Sequence, residues 1–214
     1  MPFQNRKQAA VRLSEALSAY KGKNPLVLAI PRGAVPMAKI VADTLGGELD
    51  VVLVRKLGSP FNAEFAVGSV DESGWTYVAD YAAQAGATPE YIQAEKQRQM
   101  ETMRRRREQY TPARQSIDPA GRIVIVVDDG LATGSTMIAA LHALRSKETA
   151  RLICAVPVAP PDTLEKVRGY ADEVVCLEAP MDFRAVGQFY VEFPQVEDAE
   201  VIEILRLGED RKLS

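Results

Sequence analysis

The sequence predicts an α/β fold built on an open, mainly parallel sheet of about five core strands flanked by helices. Two observations predict it. Short continuous apolar runs, such as "PLVLAI", "IVIVV" and "LICAVPV", are what a strand shows when both of its faces are covered. Helical repeats alternate with these runs, and strand, helix, strand within one sheet requires parallel pairing.

The elements follow in order. Asn5 to Tyr20 carries Ala9, Leu13, Ala16, Leu17 and Tyr20 at helical spacing, and Gly22 and Pro25 close the segment. "PLVLAI" is the first strand, "PRGAVP" interrupts it, and "MAKIVADTLG" reads as a helix ended by Gly46 and Gly47. "ELDVVLVRKLG" reads as a second strand of the same kind. Between Ser59 and Gly86, "FAVGSV" and "WTYVAD" pair as short strands around the turn "DESG". Thr88-Pro89-Glu90 opens a helix, with Thr88 as cap and Pro89 in the first turn, that runs to about Tyr110. Its "RRRR", Arg104 to Arg107, reads as an exposed basic helix end that complements the macrodipole. The competing reading is a phosphate or RNA contact, but four consecutive residues point around much of a helix. "IVIVV", a helix to about Lys147, the strand "RLICAVPVA", the helix "PDTLEKVRGYA" and the strand "EVVCLEA" complete the core. Pro180 to Ser214 holds an aromatic cluster and a short helix with Val201, Ile202 and Leu205. There is no internal repeat or low-complexity tract.

The chain of 214 residues suits one domain. A net charge of −3 is too small to imply a nucleic-acid or membrane partner, and no apolar run is long enough to span a bilayer. The polar, helix-like N-terminus is not of the signal-peptide kind, so a cytoplasmic location is expected. Cys154 and Cys176 sit in apolar, strand-like runs and read as buried, inert thiols. His142, the single histidine, lies in a helix without ligand partners near it in sequence, which argues against a His-centred metal site or a Ser-His-Asp triad.

The informative stretch is "IVIVVDDGLATGST". Ligands of open parallel sheets sit at the carboxyl ends of strands, where Asp128 and Asp129 fall. Two adjacent carboxylates repel each other and are costly to bury, so they call for a cation or for hydroxyl donors such as a ribose diol. The loop Ala132-Thr133-Gly134-Ser135-Thr136 leads into a helix, whose N–H groups and dipole favour an anion. Gly134 lets the backbone approach closely, and Thr133, Ser135 and Thr136 add hydroxyl donors. Taken alone, the doubled acid reads as a strand end with surface carboxylates. Joined to the apolar run and the hydroxyl-rich loop, it reads as a seat for a ribose 5-phosphate. Neither GxxxxGK[ST] nor a post-strand GxGxxG is present.

On these residues, "VIVVDDGLATGST" resembles the phosphoribosyl pyrophosphate (PRPP) signature of the type I phosphoribosyltransferases. "PRGAVPMA", "VRKLG" and "EFAVGSV" further resemble a bacterial group of predicted phosphoribosyltransferases. The resemblance implies a core at about 24–58 and 118–178, a flap and helical insertion at about 59–115, and a small hood from about 1–22 and 180–214. It implies that Asp128 and Asp129 hold the ribose hydroxyls, with Mg²⁺ near them but held mostly through PRPP. Ala132 to Thr136 would hold the 5′-phosphate. "PRGAVP" takes the place of the pyrophosphate loop, which in the family often has a non-proline cis peptide; Arg32 offers a bidentate fork and Gly33 unusual backbone freedom. Arg55 or Lys56 would reach the same pyrophosphate, Lys56 matching the position where relatives carry a basic residue.

The implied reaction is transfer of the phosphoribosyl group from PRPP to a nitrogenous base or amine, with catalytic roles for Asp128, Asp129 and Lys56. Some purine enzymes of the family have an acid where this chain has Ala132, so a general acid or base is unassigned, with Glu64 as a candidate. In the hood, Phe183, Phe189 and Tyr190 would stack on a planar acceptor, with Asp182 or Arg184 reading its edge; a small satellite core explains the same residues equally well. The alternative function is a non-catalytic PRPP or nucleotide sensor on the same fold. The expected partners are PRPP and a small-molecule acceptor; the sequence sets no oligomeric state, and a homodimer is compatible with it.

Overall fold

The computed structural model describes residues 2–63, 65–111 and 116–210. Its centre is a sheet of five parallel strands: β1 (Leu26–Ala29), β2 (Glu48–Val51), β6 (Ile123–Val127), β7 (Arg151–Val158) and β8 (Glu173–Glu178). They lie in the order β2-β1-β6-β7-β8. A separate antiparallel sheet contains β3 (Val54–Gly58), β4 (Ala66–Asp71) and β5 (Thr76–Val78). The helices are α1 (Arg6–Ala16), α2 (Val35–Leu45), α3 (Pro89–Tyr110), α4 (Ser135–Arg145), α5 (Pro161–Arg168) and α6 (Asp198–Asp210). This is the α/β fold, a five-stranded parallel sheet flanked by helices, that the apolar runs predict.

The period-two geometry of a strand explains how both faces are covered. Val27, Ala29, Ile125, Val127, Ile153 and Ala155 pack in one cluster with Leu13 of α1 and Val41 of α2. Their neighbours Leu28, Val124, Val126, Leu152 and Cys154 point the other way, to Leu141 of α4 and Leu164 of α5. The Cys154 thiol is buried, and burial raises its pKa far above the ordinary range, in keeping with an inert side chain.

Helix α3 starts as predicted, with the Thr88 hydroxyl accepting from the Tyr91 N–H at 3.2 Å and Pro89 in the first turn. The four arginines near its end separate sharply. Arg104 and Arg105 are exposed and pair with Glu101 and Glu108 of their own helix. Arg107 instead turns inward, donating to Asp50 at 2.7 Å and to Glu72 at 2.6 and 2.8 Å. The simple basic helix end therefore describes only part of the run.

The run "ELDVVLVRKLG" is two strands, not one. Parallel pairing stops just past Val51, where Val52 N–H donates to the Ala29 carbonyl. Its partner β1 ends before Pro31, which has no N–H to continue a ladder. The chain then joins β4 through β3. Val52 and Leu53 are buried across the break, so apolar patterning carries no trace of it.

Candidate active site

Strand order puts two distant motifs side by side. β1 and β6 are adjacent, with Ala29 in register with Val127. From β1 the chain crosses to β2 on one side; from β6 it crosses to β7 on the other. This reversal is the topological switch point, where open α/β sheets bind ligands. The turn Pro31-Arg32-Gly33 leaves one strand there and Asp128-Asp129 leaves the other. The peptide bond between Pro31 and Arg32 is cis.

Gly33 and Asp129 touch. A Cβ on Gly33 would lie 2.1 Å from Asp129 Oδ2, so only glycine lets the turn pack here. The same Oδ2 accepts from Arg6 Nε at 2.9 Å and from Nη2 at 2.8 Å. Arg6 also donates through Nη1 to the Pro194 carbonyl, and its guanidinium lies 3.8 Å from the Phe193 ring centre. Side-chain exposure of 12% and 16% makes Arg6–Asp129 a largely buried pair. Tyr190 Oη donates to the Asp129 carbonyl at 2.7 Å. Burial, then the negative charge of Asp129, holds the Asp128 carboxyl well above the ordinary carboxylate range. Burial raises Asp129 as well, with Arg6 opposing it.

Behind the acids, Leu131 is anchored by its N–H to the Val158 carbonyl at 2.9 Å. Thr163 Oγ1 donates to the Ala132 carbonyl at 2.7 Å. Gly134, the N-cap of α4, adopts φ 73°, a left-handed conformation that favours glycine. A Cβ there would also lie 2.8 Å from Thr163 Cγ2. Thr133 Oγ1 and Ser135 Oγ are 3.0 Å apart at the opening of α4, and neither side chain is sealed in the core. Hydroxyls and the first N–H groups of a three-turn helix thus gather at one end, an arrangement suited to an anion.

A cavity of about 390 Å³ opens beside the cis turn. Pro31, Arg55, Lys56, Arg106 and Thr136 are among its lining residues. Lys56 also lines two further clefts, one toward the aromatic group around His142 and one toward Phe61 and Tyr91. Arg55 Nε donates to Gln99 at 3.0 Å. Arg32 lies 3.6 Å from Glu197 and 3.8 Å from Asp198, at the start of α6. His142 stacks on Tyr77 with centroids 4.7 Å apart and lies near Trp75 and Tyr170.

Of the acceptor candidates, Phe183 and Phe189 stack on each other at 5.0 Å and pack against the main core. Asp182 is exposed, 3.7 Å from Arg184. Glu64 lies outside the described residues. Among the described residues, no group of three or more His, Cys, Asp or Glu gathers as a metal site, and no helix is long and apolar enough to cross a membrane.

Sequence patterning missed Arg6, Tyr190 as a support for Asp129, and Arg106. Arg6 looks like any first-turn residue of an N-capped helix, and its partner is 123 positions away. Only the arginine run drew attention to Arg106, without separating it from its neighbours.

Comparison with known proteins shows the family. The model of the phosphoribosyl transferase domain matches residues 3–194. Two curated proteins of Mycobacterium tuberculosis, provisionally named phosphoribosyl transferases, are each 40% identical over 204 residues, covering 95% of this chain and 46% of theirs. The chain thus spans about half the length of these relatives. A crystal structure of a Thermus thermophilus protein superposes with a TM-score of 0.87 at 45% identity, covering 96% of this chain and 98% of that one. The chain belongs to the phosphoribosyl transferase family.

Proposed function

We propose that this chain transfers the 5-phosphoribosyl group from PRPP to a nitrogenous base or amine, releasing pyrophosphate. One observation carries the reading: at the sheet's switch point the doubled acid, the hydroxyl-lined helix start and the cis turn meet. Asp128 and Asp129 accept from the ribose 2′- and 3′-hydroxyls. The N–H groups and hydroxyls of Ala132 to Thr136 hold the 5′-phosphate. Gly33, Arg32, Arg55 and Lys56 serve the pyrophosphate side.

In the transfer, the bond from C1 of the ribose to the pyrophosphate oxygen breaks and its electron pair leaves with pyrophosphate. A bond from C1 to the acceptor nitrogen forms, and that nitrogen loses a proton. Positive charge builds on the ribose ring as the old bond lengthens. The two aspartates stabilise it, while Lys56 and Arg55 stabilise the growing negative charge on the leaving group. The hard carboxylate oxygens of Asp128 and Asp129 fit Mg²⁺ bound chiefly through PRPP. Bound there, the ion would neutralise part of the phosphate charge. Phe183, Phe189 and Asp182 are the proposed acceptor side, and the acceptor's identity follows from assay.

The test is pyrophosphate release from PRPP with Mg²⁺ across a panel of bases and amines. Release with one acceptor is expected. Asp128→Asn combined with Asp129→Asn should weaken PRPP binding by roughly 2–4 kcal/mol, read by calorimetry. Unchanged binding would remove the ribose from this seat. Tight PRPP binding without release by any acceptor would assign the chain to the sensor alternative.

A further inference from the structure

Helix α3 belongs to the segment that separates the two halves of the central sheet in sequence, yet one of its faces closes the cavity beside the cis turn. Gln99, Thr102, Met103 and Arg106 line that cavity, and their spacing is that of a single helix face. The opposite walls are Arg55 and Lys56 from β3, Ile30 and Pro31 from the turn, and Thr136 from the α4 start. Three cations therefore converge on about 390 Å³.

Their pairing sets them apart. Arg104, Arg105 and Arg107 are each matched to carboxylates. Arg106 lies 6.0 Å from the Tyr110 ring centre, and Arg55 donates to the neutral Gln99 amide. Among the described residues, no carboxylate pairs with Arg106, Arg55 or Lys56. Gathering unpaired cations costs free energy unless an anion completes the cluster. Pro31 faces this cavity while Gly33, two residues on, packs against Asp129, so the turn joins the ribose seat to the cationic chamber.

We infer that Arg106 is a pyrophosphate-binding residue, and that the α3 face bearing it forms the fourth wall of the leaving-group chamber. This deepens the proposed transfer from PRPP and rests on it. Arg106 would contact the terminal phosphate oxygens through its guanidinium fork, adding to Lys56 the charge that stabilises the departing group.

Calorimetry on the full chain, with inorganic pyrophosphate and ribose 5-phosphate titrated separately in the presence of Mg²⁺, tests this. Arg106→Gln should weaken pyrophosphate binding about tenfold to a hundredfold and leave ribose 5-phosphate binding unchanged. Arg106→Lys should recover part of the loss, and Arg105→Gln, on the exposed side of the same turn, should bind both ligands as the unaltered chain does. Unchanged pyrophosphate affinity in Arg106→Gln overturns the inference and leaves the proposed function standing. Equal losses in Arg105→Gln overturn it too, because a diffuse field would then explain the effect. Failure of the unaltered chain to bind either ligand overturns the proposed function and this inference together.

Discussion

Replacing Gly33 by alanine tests the contact between the two motifs with a single carbon atom. The backbone at Gly33 is outside the left-handed region, so the change is steric, not conformational. The new Cβ would lie 2.1 Å from Asp129 Oδ2 and 3.1 Å from Arg6 Nη2. Carbon and oxygen do not approach within 3.0 Å, so Oδ2 must retreat by about 1 Å. That oxygen accepts both Arg6 hydrogen bonds, at 2.8 and 2.9 Å, and cannot move without stretching them. Overpacking of this kind costs about 1–3 kcal/mol. A misplacement of about 1 Å in a catalytic group can cost roughly a hundredfold in rate. Urea unfolding should show the stability loss, and calorimetry should show weakened ribose 5-phosphate binding. Gly169→Ala is the control, since its Cβ meets only the Lys166 carbonyl, at 3.6 Å. If Gly33→Ala bound ribose 5-phosphate normally at unchanged stability, Asp129 would not be the fixed acceptor described here.

Three further outcomes follow from the same geometry. The Asp128 carboxyl has a raised pKa in the folded state, so between the ordinary carboxylate range and that raised value the folded chain holds more protons than the unfolded one. Stability therefore falls as pH rises through this window. Asp128→Asn removes the cost, so its melting temperature at pH 7 should rise by about 2–4 °C per kcal/mol regained and vary less with pH, while ribose 5-phosphate binding falls; a lower Tm would contradict this. Arg107→Met removes the guanidinium that bridges Asp50, only 1% exposed, and Glu72, and should destabilise the fold by about 3–5 kcal/mol in denaturant titration. A neutral result would mean the pair is not desolvated. Gly134→Ala places a Cβ at φ 73° and 2.8 Å from Thr163, and should reduce ribose 5-phosphate affinity more than it changes binding of pyrophosphate. Equal losses of both ligands would show that the loop does not act on the 5′-phosphate alone.

By itself the sequence determined the parallel sheet, its helices and the position of the doubled acid at a strand end. Those features are local: apolar runs, helical spacing, the Thr88 cap and the glycine before α4 are written in neighbouring residues. Only the tertiary structure decided where the second apolar run breaks, because Val52 and Leu53 are buried on both sides of the change from one sheet to the other. It also separated four identical arginines into surface pairs, a buried anchor and a cavity wall, since helix rotation and the carboxylates of other elements set each one's surroundings. Arg6 became the partner of Asp129 for the same reason: the register of β1 against β6 and the packing of α1 bring together groups that no sequence spacing relates.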